Sequence, residues 1–235
     1  MRKFRVEIWG DGADAESMIR AHAERSVQGF TTNPTLMRKA GVEDYEAFAR
    51  KVLAKVTELP VCFEVFSDDI PDMERQARKI AAWGPNVFVK IPITNTRGES
   101  CAPLVGRLSK DGVKINVTAM LSLEQLREIA KALSPAVPSI ASLFAGRVAD
   151  TGLDPVPMMR EALKILSGLP RCKLLWASPR ELLNLVQADE CGCHIITLTD
   201  DLRRKMPLLG KDLAELSLDT VKMFYGDATK AGYRL

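Results

Sequence analysis

The chain has 235 residues, and its hydrophobic content of 46% is enough for a sizeable core, in one α/β barrel or in two smaller domains. Basic and acidic residues nearly balance, with 33 Lys and Arg against 30 Asp and Glu, and no basic run is present, so we expect no nucleic-acid partner. No apolar run reaches 18 residues, and Glu7 interrupts the short apolar stretch near the N-terminus. These features predict neither a membrane-spanning helix nor a signal peptide.

The five cysteines are odd in number and do not repeat at the spacing of metal ligands. They are Cys62, Cys101, Cys172, Cys191 and Cys193. Since the chain does not have the size of a small secreted scaffold, we interpret them as reduced thiols, which predicts a cytoplasmic protein. The stretch "CGCH" at 191–194 is a poor metal motif in a chain with two His, so no metal site is predicted.

Short apolar segments alternate with longer amphipathic segments along the chain. The strand-like segments lie at 5–10, 29–34, 61–67, 87–93, 114–120, 139–146, 173–179 and 194–199. Helical periodicity or a helix-start signal marks residues 14–25, 44–56, 72–83, 122–133, 154–166 and 178–186. Ser122 with Gln125 forms the pattern of a capping box, and Ser178 with Pro179 resembles a helix start.

Eight short strands that alternate with helices predict a parallel (β/α)8 TIM barrel, with residues 1–235 as a single domain. The alternative is an open doubly wound sheet, but "GDGAD" at 10–14 lacks the third glycine of the phosphate turn typical of that fold. Residues 210–235 add an extra C-terminal helix and tail, which we expect to contact another subunit or to cover the barrel mouth.

Polar residues recur near the carboxyl ends of these strands, where active sites of such barrels lie. Because residues two apart share a face of a strand, we expect Cys62, Glu64 and Phe66 to point the same way, as do Trp176 and Ser178. Buried polar groups need partners, so a set of them at one end of a barrel indicates a polar pocket. The set comprises Asp11, Thr31, Asn33, Glu64, Lys90, Asn116, Thr118 and Ser142.

Lys90 lies in the apolar strand "VFVKIP". Burial disfavours an ammonium charge and favours the neutral amine, which attacks carbonyl groups to form a Schiff base. Glu64 and Asp11 are the carboxylates that could move the protons of such a reaction. The sixth predicted strand is followed by Arg147, and the seventh by Ser178 and Arg180. A hydroxyl at a helix start together with two guanidinium groups predicts an anion site.

The segments "GFTTNPT", "VFVKIP", "INVT", "FAGRVAD" and "ASPRE", in this order, resemble the small transaldolases and fructose-6-phosphate aldolases. The resemblance covers Asp11 to about Thr199. It implies a barrel whose strand-four lysine, Lys90 here, forms a Schiff base with a ketose phosphate and passes a dihydroxyacetone unit to an aldose phosphate. It further implies no cofactor, a place in the pentose phosphate pathway, and a homo-oligomer, pentameric or decameric, with the last helix reaching a neighbour.

The resemblance also assigns roles to single residues. Asp11 acts on the sugar hydroxyl whose proton leaves as the carbon–carbon bond breaks, and Glu64 moves protons through a water that Thr118 helps to hold. The remaining substrate contacts are assigned to Asn33 and Asn116 at the dihydroxyacetone hydroxyls, Thr31 and Ser142 at the pocket wall, and Arg147, Ser178 and Arg180 at the distal phosphate.

Glu64 and Phe144 separate the two branches of the family, because the aldolases carry Gln and Tyr there. The chain therefore resembles the transaldolase branch. An aldolase-type lyase, a transaldolase for a modified sugar such as a sulfonated one, and a sugar-phosphate-binding barrel without turnover remain the alternatives. Two loops depart from the family pattern: "ITNTRGES", which adds Arg97 near the expected pocket mouth, and "VADTGLDP".

Overall fold

The computed structural model describes residues 3–234. Predictions that extend to the chain ends, the single domain over 1–235 and the C-terminal segment 210–235, thus include residues outside this range. Within it, strands and helices alternate from β1 to the last strand. The strands are β1 (Glu7–Asp11), β2 (Phe30–Thr31), β3 (Val61–Glu64), β4 (Val87–Pro92), β5 (Ile115–Met120), β6 (Ser139–Leu143), β7 (Cys172–Trp176) and β8 (Ile195–Leu198).

The α-helices before residue 205 surround the strands, and a short 3₁₀ helix at Met206–Leu208 and a longer α-helix follow them. The α-helices of residues 3–234 are α1 (Ala15–Ala23), α2 (Pro34–Lys39), α3 (Tyr45–Leu53), α4 (Ile70–Ala81), α5 (Ala102–Lys110), α6 (Leu123–Ala132), α7 (Ala145–Ala149), α8 (Pro155–Leu166), α9 (Leu183–Cys191), α10 (Asp200–Arg204) and α11 (Leu213–Ala231).

The strands pair in sequence order, all parallel, and β1 pairs with β8 to close the barrel. This closure confirms the (β/α)8 TIM barrel and rules out the open doubly wound sheet, which would leave two free edges. Parallel order places the carboxyl ends of all the strands at one rim. Neighbouring residues of β3 and β4 are in register there, with Glu64 opposite Lys90.

Local signals located most of the helices. Ser122 and Gln125 form the predicted capping box at the start of α6. Helix α4 begins at Ile70, two residues before the predicted segment, because Asp69 caps it by accepting a hydrogen bond from the Asp72 amide. No predicted helix covers α2, α7, α10 or the longest of these four, α5. It has no side-chain cap and contains Gly106, so its start and its periodicity are both poorly marked.

Two apolar clusters support the barrel. The larger one fills the space between the strands and the surrounding helices. The smaller one plugs the barrel interior below the carboxyl rim and contains Trp9, Cys62, Ile140, Leu175, Ala177 and Ile195. Because this plug fills the lower barrel, polar side chains nearer the rim form the floor of a cavity that opens at the top.

Helix α11 packs differently from the barrel helices, since none of its residues is buried. Val221 and Tyr225 are 59% and 75% exposed. The predicted extra C-terminal helix is therefore present, and its apolar side chains face solvent in the isolated chain. Within the described part of the chain, every helix is either too short or too polar to cross a bilayer.

Candidate active site

A cavity of about 380 Å³ opens at the carboxyl rim of the barrel. The predicted site residues that line it are Asp11, Thr31, Asn33, Glu64, Lys90, Asn116, Thr118, Ser142, Phe144, Arg147 and Ser178. Pro34, Thr35, Leu36, Ala119, Leu175, Ala177 and Thr197 complete the wall. Of the residues predicted for the site, only Arg180 lies outside this lining.

Lys90 is 6% exposed and lines the cavity. Its Nζ lies 3.0 Å from Glu64 Oε2 and donates a hydrogen bond of 2.7 Å to the backbone oxygen of Thr32. The sequence pattern predicted an apolar environment for the Lys90 amine. The structure instead gives this amine a carboxylate and a backbone carbonyl as partners. An amine held in this way must pass a proton to the carboxylate before it can act as a nucleophile.

Asp11 ends β1 on the same face and accepts a hydrogen bond of 2.7 Å from Thr31 Oγ1. Burial raises the pKa of this carboxyl group above its ordinary value, and the nearby charge of Lys90 opposes the rise without cancelling it. Glu64 adds to the rise through like-charge repulsion. A carboxyl group with a raised pKa in a cavity is suited to accept and return a proton during a reaction.

Asn116 is fully buried between β4 and β6. Its Oδ1 accepts a hydrogen bond of 2.7 Å from Ser142 Oγ, and its Nδ2 contacts Cys62 Sγ at 3.4 Å. Burial raises the pKa of the Cys62 thiol to about 12, so the sulfur remains protonated. The orientation of the Asn116 amide is thus set from both sides by neutral partners.

Thr118 lies where β5 departs from regular geometry. The register between β5 and β6 shifts between Val117 and Met120, and Ala119 has a left-handed φ of 62°. Bulges of this kind re-aim side chains near active sites. At this irregularity two consecutive residues, Thr118 and Ala119, both line the cavity.

Asn33 has a structural function as well as a place in the cavity. It caps α2, and its Oδ1 accepts a hydrogen bond of 3.0 Å from the Leu36 amide. The carbonyl half of the side chain is therefore occupied, which leaves its Nδ2 as the group that can donate to a ligand.

The anion-binding end of the cavity differs from the prediction. Helix α9 begins at Leu183, and Ser178 lies five residues before it with a left-handed φ of 57°, so Ser178 does not cap a helix. Arg147 lies 5.1 Å from the centre of the Phe144 ring and lines the cavity. Arg180 is held outside it by ion pairing with Asp150.

Two expectations from strand parity were wrong. Trp176 packs in the larger cluster, between strands and helices, whereas Ser178 lines the cavity, so the two side chains do not point the same way. Strand β3 ends at Glu64, so Phe66 leaves the barrel and is 56% exposed.

Arg97, in the loop after β4, is not among the residues that line the cavity. It pairs with Asp68 at 3.0 Å and with Glu99 at 3.2 Å, and it thereby joins the loop after β4 to the loop after β3.

Two groups that bear on the site were not found from the sequence. The backbone oxygen of Thr32 holds Lys90, and the hydroxyl of Tyr45 contacts the backbone of Glu64. A backbone acceptor leaves no mark in a sequence, and Tyr45 is read there as an ordinary apolar position of a helix. Among residues 3–234, no group of three or more His, Cys, Asp or Glu side chains is placed to hold a metal ion.

The closed parallel barrel and the pair of Lys90 and Glu64 at its carboxyl rim place the protein in the class of TIM-barrel proteins with a lysine–carboxylate site. The model of the transaldolase/fructose-6-phosphate aldolase family matches residues 8–235, and the chain belongs to this family. It is thus a member of a family of enzymes.

Curated relatives have the corresponding name. A probable transaldolase of Dehalococcoides mccartyi is 33% identical over 218 residues, which span 91% of this chain and 97% of the relative. A probable transaldolase of Syntrophobacter fumaroxidans is 34% identical over 196 residues, 82% of this chain and 85% of the relative. Among solved structures, a 2,3-dimethylmalate lyase has a TM-score of 0.57 at 15% identity and covers 97% of this chain and 84% of its own, which shows a shared fold only.

Proposed function

We propose that the protein is a transaldolase that transfers a dihydroxyacetone unit from a ketose phosphate, such as fructose 6-phosphate, to an aldose phosphate through a Schiff base on Lys90. The observation that carries the proposal is the separation of 3.0 Å between Lys90 Nζ and Glu64 Oε2 at the floor of a cavity that also contains Asp11. A buried amine next to a proton acceptor is the arrangement that imine formation requires.

The first half of the reaction forms and uses the imine. Lys90 gives a proton to Glu64 and attacks the ketose carbonyl, and loss of water from the carbinolamine, with a proton from Glu64, leaves a protonated imine. Asp11 accepts the proton of the C4 hydroxyl as the C3–C4 bond breaks, and the electron pair of that bond moves into the imine to give an enamine. The aldose product then leaves.

The second half reverses these steps with another aldehyde. The enamine carbon attacks the acceptor carbonyl, Asp11 returns its proton to the new hydroxyl, and water hydrolyses the imine to release the new ketose phosphate and regenerate Lys90. The imine itself takes up the electrons, so no cofactor enters any step. We place the ordered water between Glu64 and Thr118, both of which line the cavity.

The other cavity residues supply substrate contacts in this proposal. Asn116 and Ser142 are hydrogen-bonded to each other at the floor, and we assign them, with Asn33 and Thr31, to the dihydroxyacetone hydroxyls. Arg147 and Ser178 face the cavity and bind the distal phosphate. Arg180 joins them only if it leaves Asp150, because the ion pair between the two holds its guanidinium group outside the cavity.

We further propose that the protein is a homo-oligomer, a pentamer or decamer, in which the segment from residue 210 onward contacts a neighbour. The support is the exposed apolar surface of α11, where Leu218, Val221 and Tyr225 recur at three- and four-residue spacing and so share one side of the helix. We also propose that the protein is located in the cytoplasm. All five cysteines are free thiols, which agrees with a reducing compartment.

Borohydride trapping tests the Schiff base directly. The protein is incubated with fructose 6-phosphate and sodium borohydride, and the adduct is located by mass spectrometry after proteolysis. We expect a reduced adduct on Lys90 in the native chain and none in Lys90→Ala, with Lys79→Ala, an exposed lysine, as the matched control. An adduct that persists in Lys90→Ala, or none in the native chain, would disprove the mechanism.

A second assay separates transfer from cleavage. With fructose 6-phosphate alone, a transaldolase retains the three-carbon unit, whereas an aldolase releases dihydroxyacetone continuously. We expect turnover to depend on added erythrose 4-phosphate. Equal turnover with and without the acceptor would favour the aldolase.

A further inference from the structure

The hydrogen-bond ladder between β2 and β3 stops one step before the catalytic end of β3. Phe30 N donates to Pro60 O at 2.9 Å and Thr32 N donates to Cys62 O at 3.2 Å. With the two-residue period of a parallel ladder, the next bonds would run from Glu64 N to Thr32 O and from the amide of residue 34 to Glu64 O.

Neither of these two bonds forms. Residue 34 is proline, which has no amide hydrogen, so Glu64 O has no donor on β2. The oxygen of Thr32 accepts a hydrogen bond of 2.7 Å from Lys90 Nζ, and the Glu64 amide points to a side-chain hydroxyl at 2.7 Å rather than to this oxygen. Without another partner, both backbone groups of Glu64 would be unsatisfied at the edge of the cavity.

The hydroxyl of Tyr45 satisfies both groups. It lies 2.7 Å from Glu64 N and 3.0 Å from Glu64 O, so one oxygen accepts from the amide and donates to the carbonyl. Burial raises the pKa of this phenol far above its ordinary value, so the hydroxyl keeps the hydrogen that it donates at any working pH.

The surroundings of Tyr45 fix the position of this hydroxyl. Asp44 caps α3 through the amide of Ala47, which sets where the helix starts and where its first residue points. The Tyr45 ring then packs edge-on against Trp83 with centroids 5.5 Å apart, and against Phe63 at 6.1 Å. The Phe66 ring adds a third edge-on contact with centroids 4.8 Å apart, and a ring held by three aromatic neighbours positions its hydroxyl with little freedom.

From this geometry we infer that Tyr45 is a positioning residue of the active site: its hydroxyl replaces β2 as the partner of Glu64 and thereby leaves the Thr32 carbonyl to Lys90. The inference rests on the proposed function. Tyr45 acts on both members of the lysine–carboxylate pair through the backbone and touches no substrate.

The test is Tyr45→Phe, which keeps the ring and removes the hydroxyl, beside Tyr233→Phe, which removes an exposed hydroxyl. We expect Tyr45→Phe to lower kcat about 10- to 100-fold with KM for fructose 6-phosphate within about twofold, and to move the pH profile of kcat by about half a unit or more. Tyr233→Phe keeps native values. A wild-type kcat and pH profile in Tyr45→Phe would overturn the inference. A fall in kcat no larger than the fraction of Tyr45→Phe protein that is unfolded would overturn it as well.

Hydrogen exchange supplies a readout that does not depend on activity. The Glu64 amide in Tyr45→Phe should exchange at least about tenfold faster than in the native chain while the amides of Cys62 and Phe63 change little, because only Glu64 loses its acceptor. Unchanged exchange at Glu64 would contradict the inference. The two proposals fail separately: no borohydride adduct in the native chain removes the function, whereas native behaviour of Tyr45→Phe beside a trappable native chain removes only the role of Tyr45.

Discussion

Glu64 and Lys90 lie opposite each other in the β3–β4 ladder, and their side chains meet at 3.0 Å on the inner side of the barrel. Parallel strands in register bring such neighbours together without any loop, so the distance is set by the sheet itself. Both members of the pair therefore lie on paired strands of the barrel and not on loops, and their chemistry can be tested one group at a time.

Glu64→Gln keeps the shape of the side chain and removes its capacity to take a proton from Lys90. We expect kcat to fall about 100-fold or more with a small change in KM for the ketose, because proton transfer by a positioned carboxylate is typically worth a factor of this size. Steady-state kinetics with erythrose 4-phosphate measure it. Glu58→Gln, an exposed position, serves as the control, and a native kcat in Glu64→Gln would exclude proton transfer by Glu64.

Asp11→Asn should lower activity and raise stability. The pKa of Asp11 is raised in the folded protein, so its charge destabilises the fold above that pKa, and this penalty disappears as the pH falls through the raised value towards the ordinary one. Urea unfolding should therefore show a more stable variant at pH 7 and a smaller difference at pH 4. Asp227→Asn, at an exposed site, should show neither effect. A variant that is less stable at pH 7 would contradict this account.

Phe144→Tyr should increase the release of dihydroxyacetone from fructose 6-phosphate without an acceptor, by about tenfold. A phenol at this position of the cavity wall could protonate the enamine that the native chain holds for the acceptor. Phe224→Tyr places the same hydroxyl on an exposed ring that does not line the cavity and is the matched control. Equal release by both variants would show that residue 144 does not separate the two activities.

Gly146→Ala should damage the anion-binding end of the site. An added Cβ would lie 1.6 Å from the backbone oxygen of Ser178, so the two segments must move apart. We expect a loss of at least about 2 kcal/mol in the free energy of unfolding, together with a raised KM for phosphorylated ketose. At Gly168 a Cβ meets nothing within 4 Å, and Gly168→Ala should keep the native KM. Native stability in Gly146→Ala would show that this close approach is not needed.

Val221→Asp tests the oligomer. A charge in the middle of the apolar side of α11 should dissociate the assembly, since burying an unpaired carboxylate in an interface is costly. Sedimentation velocity should show a smaller species for Val221→Asp and native assembly for Asp227→Lys, which changes charge on the opposite side of the helix. An unchanged sedimentation coefficient in Val221→Asp would place the contact elsewhere.

Much of the barrel could be predicted from the sequence, because short apolar runs, helical periodicity and caps such as Ser122 are local features. The error at Ser178 shows the limit of such signals. Ser followed by Pro is a common helix start, yet Ser178 adopts a left-handed backbone beside Gly146, and α9 begins only at Leu183. The competing contact comes from α7, more than 30 residues earlier in the chain, and no local pattern contains it.

The sequence by itself determined which chemical groups reach the rim, since strand alternation and parallel order place Asp11, Glu64 and Lys90 at the same end of the barrel. Only the tertiary structure decided their partners. Arg180 pairs with Asp150, and Lys90 takes the Thr32 carbonyl while Tyr45 satisfies Glu64. The physical reason is that a hydrogen bond depends on which unsatisfied groups lie within about 3 Å, and that is set by strand length, helix starts and loop paths together.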